Sequence, residues 1–458
     1  MPTVTSDFER QWEMCPPASA LVQRRLFSFD SYSAITYGPA AAQYELVQLL
    51  SEQPSDEWIV SALDAFVRGE FGSGDVDVPP YPGLPSLVTE RADGDEHHRY
   101  LQACERALIY SSHLEALIEK GGQTAPERIH ALIADRRLGN DANRKNVTVD
   151  AFSQLLTPLV EQHLRLRFVM PAFPFKDQNP FRTAALAYQP DLGDIALIIR
   201  LHCLALALWH VHSDGADWIL LSDGVLYSSI FGVDADAARE YVNRLRAWRD
   251  ELNMQRTVAI VDLADLVQRA DIATDGSSQP ITATRAHIRA ALERAQQERI
   301  DPVLRNIAVL QRGMARNLNT RELLGTIPPD ELWLITRGGS EELLSKGSIS
   351  AYREVTERAH NAALDYASFN LAMRYHDVLN RYLPQTVRAT IHAKEGQIAA
   401  PSLGRVFPWN GVPIERGGKF DDRSLSVSAL HDLTAKHSTL VERRRGDDAP
   451  FYYTAWRS

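Results

Sequence analysis

Cysteine is scarce in this sequence, with only three in 458 residues: Cys15, Cys104 and Cys203. They lie far apart and have no partners at the spacing of zinc ligands, which excludes a disulfide framework and a cysteine-based metal site. A chain that does not depend on disulfides is typical of reducing compartments, so we expect a cytoplasmic protein.

A long uninterrupted hydrophobic segment and a surplus of basic residues are also missing. The most apolar stretch, Ile195 to Val211, is interrupted by Arg200, His202 and His210 and is short for a membrane span, which favours a buried helix. The formal net charge is -10, which excludes a broad surface for nucleic acid but not a local basic pocket for a phosphorylated metabolite. We therefore expect neither nucleic acid nor a membrane as a partner.

Short apolar segments alternate with helical patterns in the middle of the chain. The segments LRFVMPAF, ADWILLSDG and TVAIVDL have the composition of buried strands. Between them, the apolar periodicity predicts a helix through His210 with Asp191 as its N-cap, and a second helix from Asp234 to Asn253. This order predicts an α/β fold, with a Rossmann-like, mostly parallel sheet and flanking helices.

The hydrophobic pattern changes near Leu164. Before it the periodicity is mostly helical, so we expect a helical N-terminal extension over residues 1–160 and a Rossmann-like catalytic domain over residues 161–458. Within that domain, residues 282–382 have a helical pattern again, while TVRATIHA and FYYTAW predict later strands.

Polar residues follow each of the three predicted central strands: Lys176, then Ser222-Asp223-Gly224, then Asp262. Because ligands bind beyond the carboxyl ends of parallel strands, these positions predict one pocket. A lysine there could hold a phosphate or form an imine, and a surface lysine in a loop fits the sequence about equally well. Asp223 is a candidate general base, with a turn aspartate bonded to its own backbone as the alternative.

Two nucleotide-binding signatures are absent, since the loop after the first strand has no GxGxxG and the chain has no P-loop. One metal motif is present. His212 and Asp214 form an HxD triplet, and His392 is the obvious third ligand for an iron site of the 2-oxoglutarate oxygenase kind. The triplet falls in a predicted connection between a helix and a strand, so a structural role is the alternative.

Seven short elements, in their order and spacing, resemble the pyoverdine/dityrosine biosynthesis family, whose best-known members are isonitrile (isocyanide) synthases. The family pattern has FPFK followed by an asparagine, a PDLG helix start, an SDG turn with a "gVdd" element, an RGM-like segment, an "R-x-SIHP" strand, a PWHG turn and an "LVE…yf" close. The matching segments here are Phe173–Lys176 with Asn179, Pro190–Asp194, Ser222–Gly224 with Gly232–Asp234, Arg312–Met314, Arg388–His392, Pro408–Gly411, and Leu440–Glu442 with Phe451 and Tyr452. The resemblance covers roughly Leu164 to Trp456.

The resemblance implies a reaction in which the amine of an amino acid, usually tyrosine or tryptophan, becomes an isonitrile. The added carbon comes from the ketone carbon of ribulose 5-phosphate, and no metal or redox cofactor is required. An N-formyl amino acid is the product of the alternative activity within the family. From other classes, an iron oxygenase and a helical interaction module on a degenerate core stay open. A pathway oxygenase and a second copy of the chain are the expected protein partners.

The resemblance also implies roles for particular residues. Lys176 and Arg182 would bind the sugar phosphate or polarise its ketone, Asp223 would be the general base, and His392 an acid/base partner. The other candidate substrate-binding residues are Phe175, Asn179, Ser222, Gly224, Arg312, Arg388 and Trp409. The chain departs from the family pattern at Asp177-Gln178, where the family has serine-proline, at Ala393 in place of proline, and at Asn410 in place of histidine.

Overall fold

A computed structural model describes much of the chain after residue 52. The described residues are 53–71, 87–91, 112–135, 139–140, 143, 149–176, 190–272, 281–318, 327–328, 331, 341–390, 397–401, 407–416, 419–425, 439–444 and 450–456. The helices are α1 (Asp56–Phe71), α2 (Ser112–Lys120), α3 (Ala125–Ile133), α4 (Val149–Glu161), α5 (Leu192–Trp209), α6 (Gly224–Phe231), α7 (Ala235–Glu251), α8 (Leu263–Ile272), α9 (Ile281–Gln297), α10 (Asp301–Asn317), α11 (Ile349–Tyr375) and α12 (Val378–Tyr382). The strands are β1 (Leu87–Arg91), β2 (Leu166–Pro171), β3 (Ala216–Ser222), β4 (Val258–Asp262), β5 (Thr386–Thr390), β6 (Ile398–Ala399), β7 (Val412–Arg416), β8 (Lys419–Leu425), β9 (Thr439–Arg444) and β10 (Pro450–Trp456).

The central sheet is parallel and has the strand order β4-β3-β2-β5-β6. Helices cover both of its faces, which confirms the predicted α/β class and explains why its strands read as apolar runs rather than as alternating patterns. On one face Phe168 of β2 stacks on Trp218 of β3, with ring centroids 4.8 Å apart. On the other face Val169 and Ile219 pack in a second cluster with residues of α8 and α12.

The helix predicted between the first two central strands is α5. Asp191 is its N-cap, as predicted, and forms a capping box with Asp194. Of the helices in the described residues, α5 is the one long and apolar enough to span a membrane, but 83% of it is buried inside the protein. It contacts β3, α3 and α7 as well as strands of a second sheet. A helix with a protein neighbour on every side is apolar all round, so the buried-helix prediction is confirmed.

The second sheet has the strand order β1-β9-β10-β7-β8 and mixes parallel with antiparallel pairs. Its first strand, β1, comes from the N-terminal region and pairs in parallel with β9 near the other end of the chain. The sequence predicted β10 but not β1. The helix α1 contributes Ile59, Leu63 and Phe66 to a core shared with α9, α10 and α11. The described segments α1 and β1 of residues 1–160 therefore pack or pair with helices and strands from later in the chain.

Candidate functional site at the switch in strand order

The strand order predicts a ligand crevice at the carboxyl ends of β2 and β5. From β2 the chain proceeds outward to β3 and β4 on one side, and later returns to β5 and β6 on the other. This is the Rossmann arrangement, in which the order reverses beside the first strand and ligands bind above that reversal. The FPFK segment follows β2 at this point, and residues 391–396, which include His392, follow β5.

The end of β2 is held in an uncommon backbone conformation. Phe173 has φ of 52°, a left-handed value that a bulky residue adopts only when its surroundings hold it there. Ser222 Oγ donates a hydrogen bond of 2.8 Å to the Phe173 carbonyl. The ring of Phe173 meets the edge of Trp409 at 5.2 Å, and Trp409 stacks on Phe407 at 4.9 Å. The structure thus brings Trp409 and Ser222 together at the end of β2, as supports for its backbone.

Gly224 allows the loop after β3 to approach this segment closely. A Cβ atom at Gly224 would lie 1.4 Å from the carbonyl oxygen of Pro174, so any larger residue would collide with backbone. Asp223, immediately before it, occupies the N-cap position of α6, but its half-buried side chain makes no capping hydrogen bond. Asp223 therefore stands at the start of α6 without capping that helix through its side chain.

Lys176 lies in a fully buried cluster of charges. Its Nζ donates to Asp191 Oδ2 at 2.6 Å and to Asp194 Oδ2 at 3.2 Å, and no part of its side chain is exposed. Tyr241 on α7 donates its hydroxyl to Asp194 Oδ1 at 3.0 Å. Backbone N–H groups of Asp191 and Gly193 supply further donors to the two carboxylates, at 2.8 and 2.9 Å. Each carboxylate oxygen of the pair thus accepts a hydrogen bond.

The charges in this cluster do not balance, because one ammonium group faces two carboxylates. Burial, opposed by the charge of Lys176, raises the pKa of Asp191 to about 7. Burial would lower the pKa of Lys176, but the two carboxylates outweigh it and raise that pKa above its usual value. Burial and the same carboxylates raise the pKa of Tyr241 well above its ordinary range. Lys176 is thus held as a protonated ammonium group.

Asp262 lies one strand further from the crevice. It ends the edge strand β4 beside Ser222 in the sheet register, and its Oδ1 accepts a hydrogen bond of 2.9 Å from the backbone of Ala264. Burial raises the pKa of its carboxyl group. The structure thus places the ends of β3 and β4 side by side, as predicted. The side chain of Asp262 itself caps the start of α8.

The two predicted arginine clamps lie in different parts of the fold. Arg388 is buried in the middle of β5, in register with Val169 of β2. Arg312 is half-buried on α10, which packs against α1 and α11. Three other candidates, Asn179, Arg182 and His392, lie outside the described residues.

The HxD triplet lies at the opposite end of the sheet. His212 is buried, and its Nε2 lies 2.8 Å from the carbonyl oxygen of Leu164, before β2 begins. Asp214 Oδ2 lies 3.3 Å from Nδ1 of the exposed His163. Within the described residues no three His, Cys, Asp or Glu side chains converge to hold a metal ion. His212 therefore joins the α5–β3 connection to the segment before β2, while His392, the third ligand of the iron-site interpretation, lies outside the described residues.

Three residues of the charged cluster, Asp191, Asp194 and Tyr241, are not among the site residues predicted from the sequence. Asp194 and Tyr241 were placed on helices, and Asp191 was assigned only the N-cap role. The signal for the two aspartates is the acidic PDLGD segment, which holds two carboxylates three residues apart at a helix start, and that segment does not point to Tyr241.

Comparison with known proteins agrees with the motif pattern. The family model described as pyoverdine/dityrosine biosynthesis protein matches residues 156–419. The isocyanide synthase xanB of Aspergillus fumigatus is 30% identical over 137 residues, which is 30% of this chain and 18% of that protein. The L-tryptophan isonitrile synthase AmbI2 of Fischerella ambigua is 27% identical over 116 residues, 25% of this chain and 32% of that protein. The matched region thus spans less than a third of each of these relatives.

A solved structure shares the fold. The crystal structure of PvcA from Pseudomonas aeruginosa superposes with a TM-score of 0.50 at 16% sequence identity. The superposition covers 73% of this chain and all of that one. At this identity the likeness concerns the fold, and it agrees with the parallel sheet and flanking helices described above.

Proposed function

Because this chain belongs to the pyoverdine/dityrosine biosynthesis family, we propose that it is an isonitrile synthase. The observation that carries the proposal is the family match over residues 156–419, a range that contains the whole central sheet and its switch point. Two relatives named as isocyanide or isonitrile synthases support it. The substrates we propose are an amino acid and ribulose 5-phosphate, as the family resemblance implies, with no metal or redox cofactor.

The reaction needs groups that move protons while an amine condenses with a ketone and the sugar is then cleaved. Asp223 is our candidate general base, since it lies at the carboxyl edge of the sheet and its side chain makes no capping bond to α6. His392 is the proposed acid/base partner, because it follows β5 on the other side of the switch point. Arg388 is the proposed anchor for a carboxylate or phosphate group.

Mass spectrometry of the products tests this function. Purified protein is incubated with a pool of amino acids and ribulose 5-phosphate labelled at the ketone carbon. We expect an isonitrile that carries the label, and its mass identifies the amino acid. A labelled N-formyl amino acid as the sole product, with hydrolysis of an isonitrile excluded, would place the chain in the formylating branch. No labelled product from any amino acid would refute the proposal.

A matched pair of aspartate variants tests the site. Asp223→Asn removes the proposed base and is expected to reduce kcat by about 100-fold or more, in the range typical of general-base catalysis. Asp214→Asn changes an aspartate at the other end of the sheet and should leave turnover within about twofold of wild type, as for surface substitutions. Equal turnover for the two variants would remove Asp223 from the mechanism.

A further inference from the structure

The ammonium group of Lys176 is bound by side chains of the protein itself. It is fully buried, and its ammonium group lies between two carboxylates that α5 presents at its first turn. A lysine that binds a phosphate must direct Nζ into the ligand site, and one that forms an imine must also lose its proton. Lys176 does neither in the described structure. Its Nζ is directed at the carboxylates of Asp191 and Asp194, and these carboxylates keep it protonated.

The charged cluster joins three elements of the fold. Lys176 comes from the segment after β2, Asp191 and Asp194 from the start of α5, and Tyr241 from α7. The carboxylates of Asp191 and Asp194 lie at the N-terminus of the 18-residue helix α5, where the helix dipole stabilises negative charge. The segment after β2 is therefore fixed to a helix that is itself buried in the core.

The other side of the same segment contacts the loop that carries Asp223. The Pro174 carbonyl group, two residues before Lys176, lies against Gly224, and the Phe175 ring lies 5.7 Å from that of Phe231 on α6. A displacement of Lys176 is thus transmitted through a few backbone atoms to the start of α6. Buried contacts of this kind hold catalytic groups at the separation that a reaction requires.

We propose that Lys176 is a positioning residue, which ties the end of β2 to α5 and thereby sets the place of the Asp223 loop, and that it does not contact the substrates. This inference rests on the proposed function. It differs from the role that the family resemblance implied for Lys176, because the carboxylates of Asp191 and Asp194, rather than a sugar phosphate or its ketone, are the partners of the ammonium group.

A charge-matched double variant distinguishes the two roles. Lys176→Met leaves two buried carboxylates without their cation. Adding Asp191→Asn restores the original net charge of the cluster and keeps a good N-cap, because an asparagine oxygen can still accept from the Gly193 N–H. We expect Lys176→Met to lower kcat on the order of 100-fold with KM for ribulose 5-phosphate nearly unchanged, the size of effect that misplaced catalytic groups produce. The double variant should regain about tenfold or more, as strongly coupled neighbours do.

Two results would overturn the inference. One is a folded double variant with no more activity than Lys176→Met, since a lysine that acts on substrate cannot be replaced by changing Asp191. The other is a covalent adduct at Lys176 after borohydride treatment of the wild-type protein with ribulose 5-phosphate. Lys346, which is exposed, serves as the control lysine for nonspecific adducts.

Hydrogen exchange tests the positioning without any turnover. Ala172 N–H donates to Leu221 O at 2.9 Å and Tyr227 N–H donates to Asp223 O at 3.0 Å, so these amides report on the two joined segments. We expect Lys176→Met to accelerate their exchange at least tenfold while peptides of α11 stay unchanged. Unchanged exchange at both amides, or equal acceleration throughout α11, would refute the inference. Because this readout needs no product, a failure of the proposed synthase activity and a failure of the Lys176 role are distinguishable.

Discussion

Replacement of Gly224 by alanine tests the contact on which the candidate site depends. The added Cβ atom would lie 1.4 Å from the Pro174 carbonyl oxygen, while contacts below 3.0 Å are essentially never seen and those of 3.0–3.4 Å are tight. The loop after β3 and the segment after β2 must therefore separate by about 1.6–2.0 Å, the difference between those distances. Both sides of the contact are main chain, so no side-chain rotation can relieve the collision.

The cost of this separation can be estimated from the contacts that it breaks. Ser222 is fully buried and donates its hydroxyl to Phe173 O, and loss of that hydrogen bond costs about 1–3 kcal/mol. The packing of Phe175 on Phe231 contributes about 0.5–1.5 kcal/mol beyond its buried area. We therefore expect Gly224→Ala to lower the free energy of unfolding by about 2–4 kcal/mol. Activity should fall as well, because Asp223 moves with the loop.

Gly347→Ala is the matched control. No atom lies within 4 Å of the position that its Cβ would take, and Gly347 is exposed, so the unfolding free energy should change by no more than about 0.5 kcal/mol. The assay is chemical denaturation followed by circular dichroism, with product formation measured in parallel. If both alanine variants unfold at the same denaturant concentration, the close approach at Gly224 does not exist as described.

Two further predictions concern protonation of the charged cluster and the HxD triplet. The pKa of Asp191 is about 7 in the folded protein, against an ordinary value of 3.8. Between these pH values the folded state therefore keeps a proton on Asp191 that the unfolded state has released. The stabilisation from this proton is complete below about pH 4 and is lost as the pH rises through 7. Between pH 4 and 7 the free energy of unfolding should therefore fall less steeply with pH for Asp191→Asn than for wild type. Chemical denaturation at several pH values measures the two slopes, which should differ by up to about 1.4 kcal/mol per pH unit. Equal slopes would contradict the assignment to Asp191. His212→Ala should destabilise the protein by about 0.5–1.5 kcal/mol, because the hydrogen bond between the buried His212 and the partly buried Leu164 carbonyl is lost, while kcat stays close to that of wild type. A variant of normal stability that has lost its activity would revive a catalytic role for His212.

The central sheet was predictable from sequence because its signals are local. Strands buried on both faces appear as short apolar runs, and β2, β3 and β4 were each predicted from such runs. Asp191 and Asp234 were predicted as helix starts, and both are N-caps in the structure. In each of these cases a few consecutive residues determine the element.

The second sheet and the partners of Lys176 were not predictable in this way. Strand β1 pairs with β9, and the two segments are separated by most of the chain, so no local pattern connects them. Lys176 and Asp191 are 15 residues apart along the chain. Their contact depends on how the chain returns to the sheet, and the sequence alone left a surface lysine and a substrate-binding lysine equally open.

The FPFK and PDLG elements, which entered the family resemblance as separate motifs, are in this fold two halves of one ion-pair cluster. Lys176 is the last residue of the first motif and Asp191 the second residue of the other, and each would be an uncompensated buried charge without its partner. Their joint presence is therefore explained by the stability of the buried cluster, whatever the substrate is. Asp223 differs from them, because its side chain is half-buried at the carboxyl edge of the sheet and does not cap α6. Among the residues at the carboxyl edge of the sheet, Asp223 is for this reason the stronger candidate for chemistry, and Lys176 the stronger candidate for holding it in place.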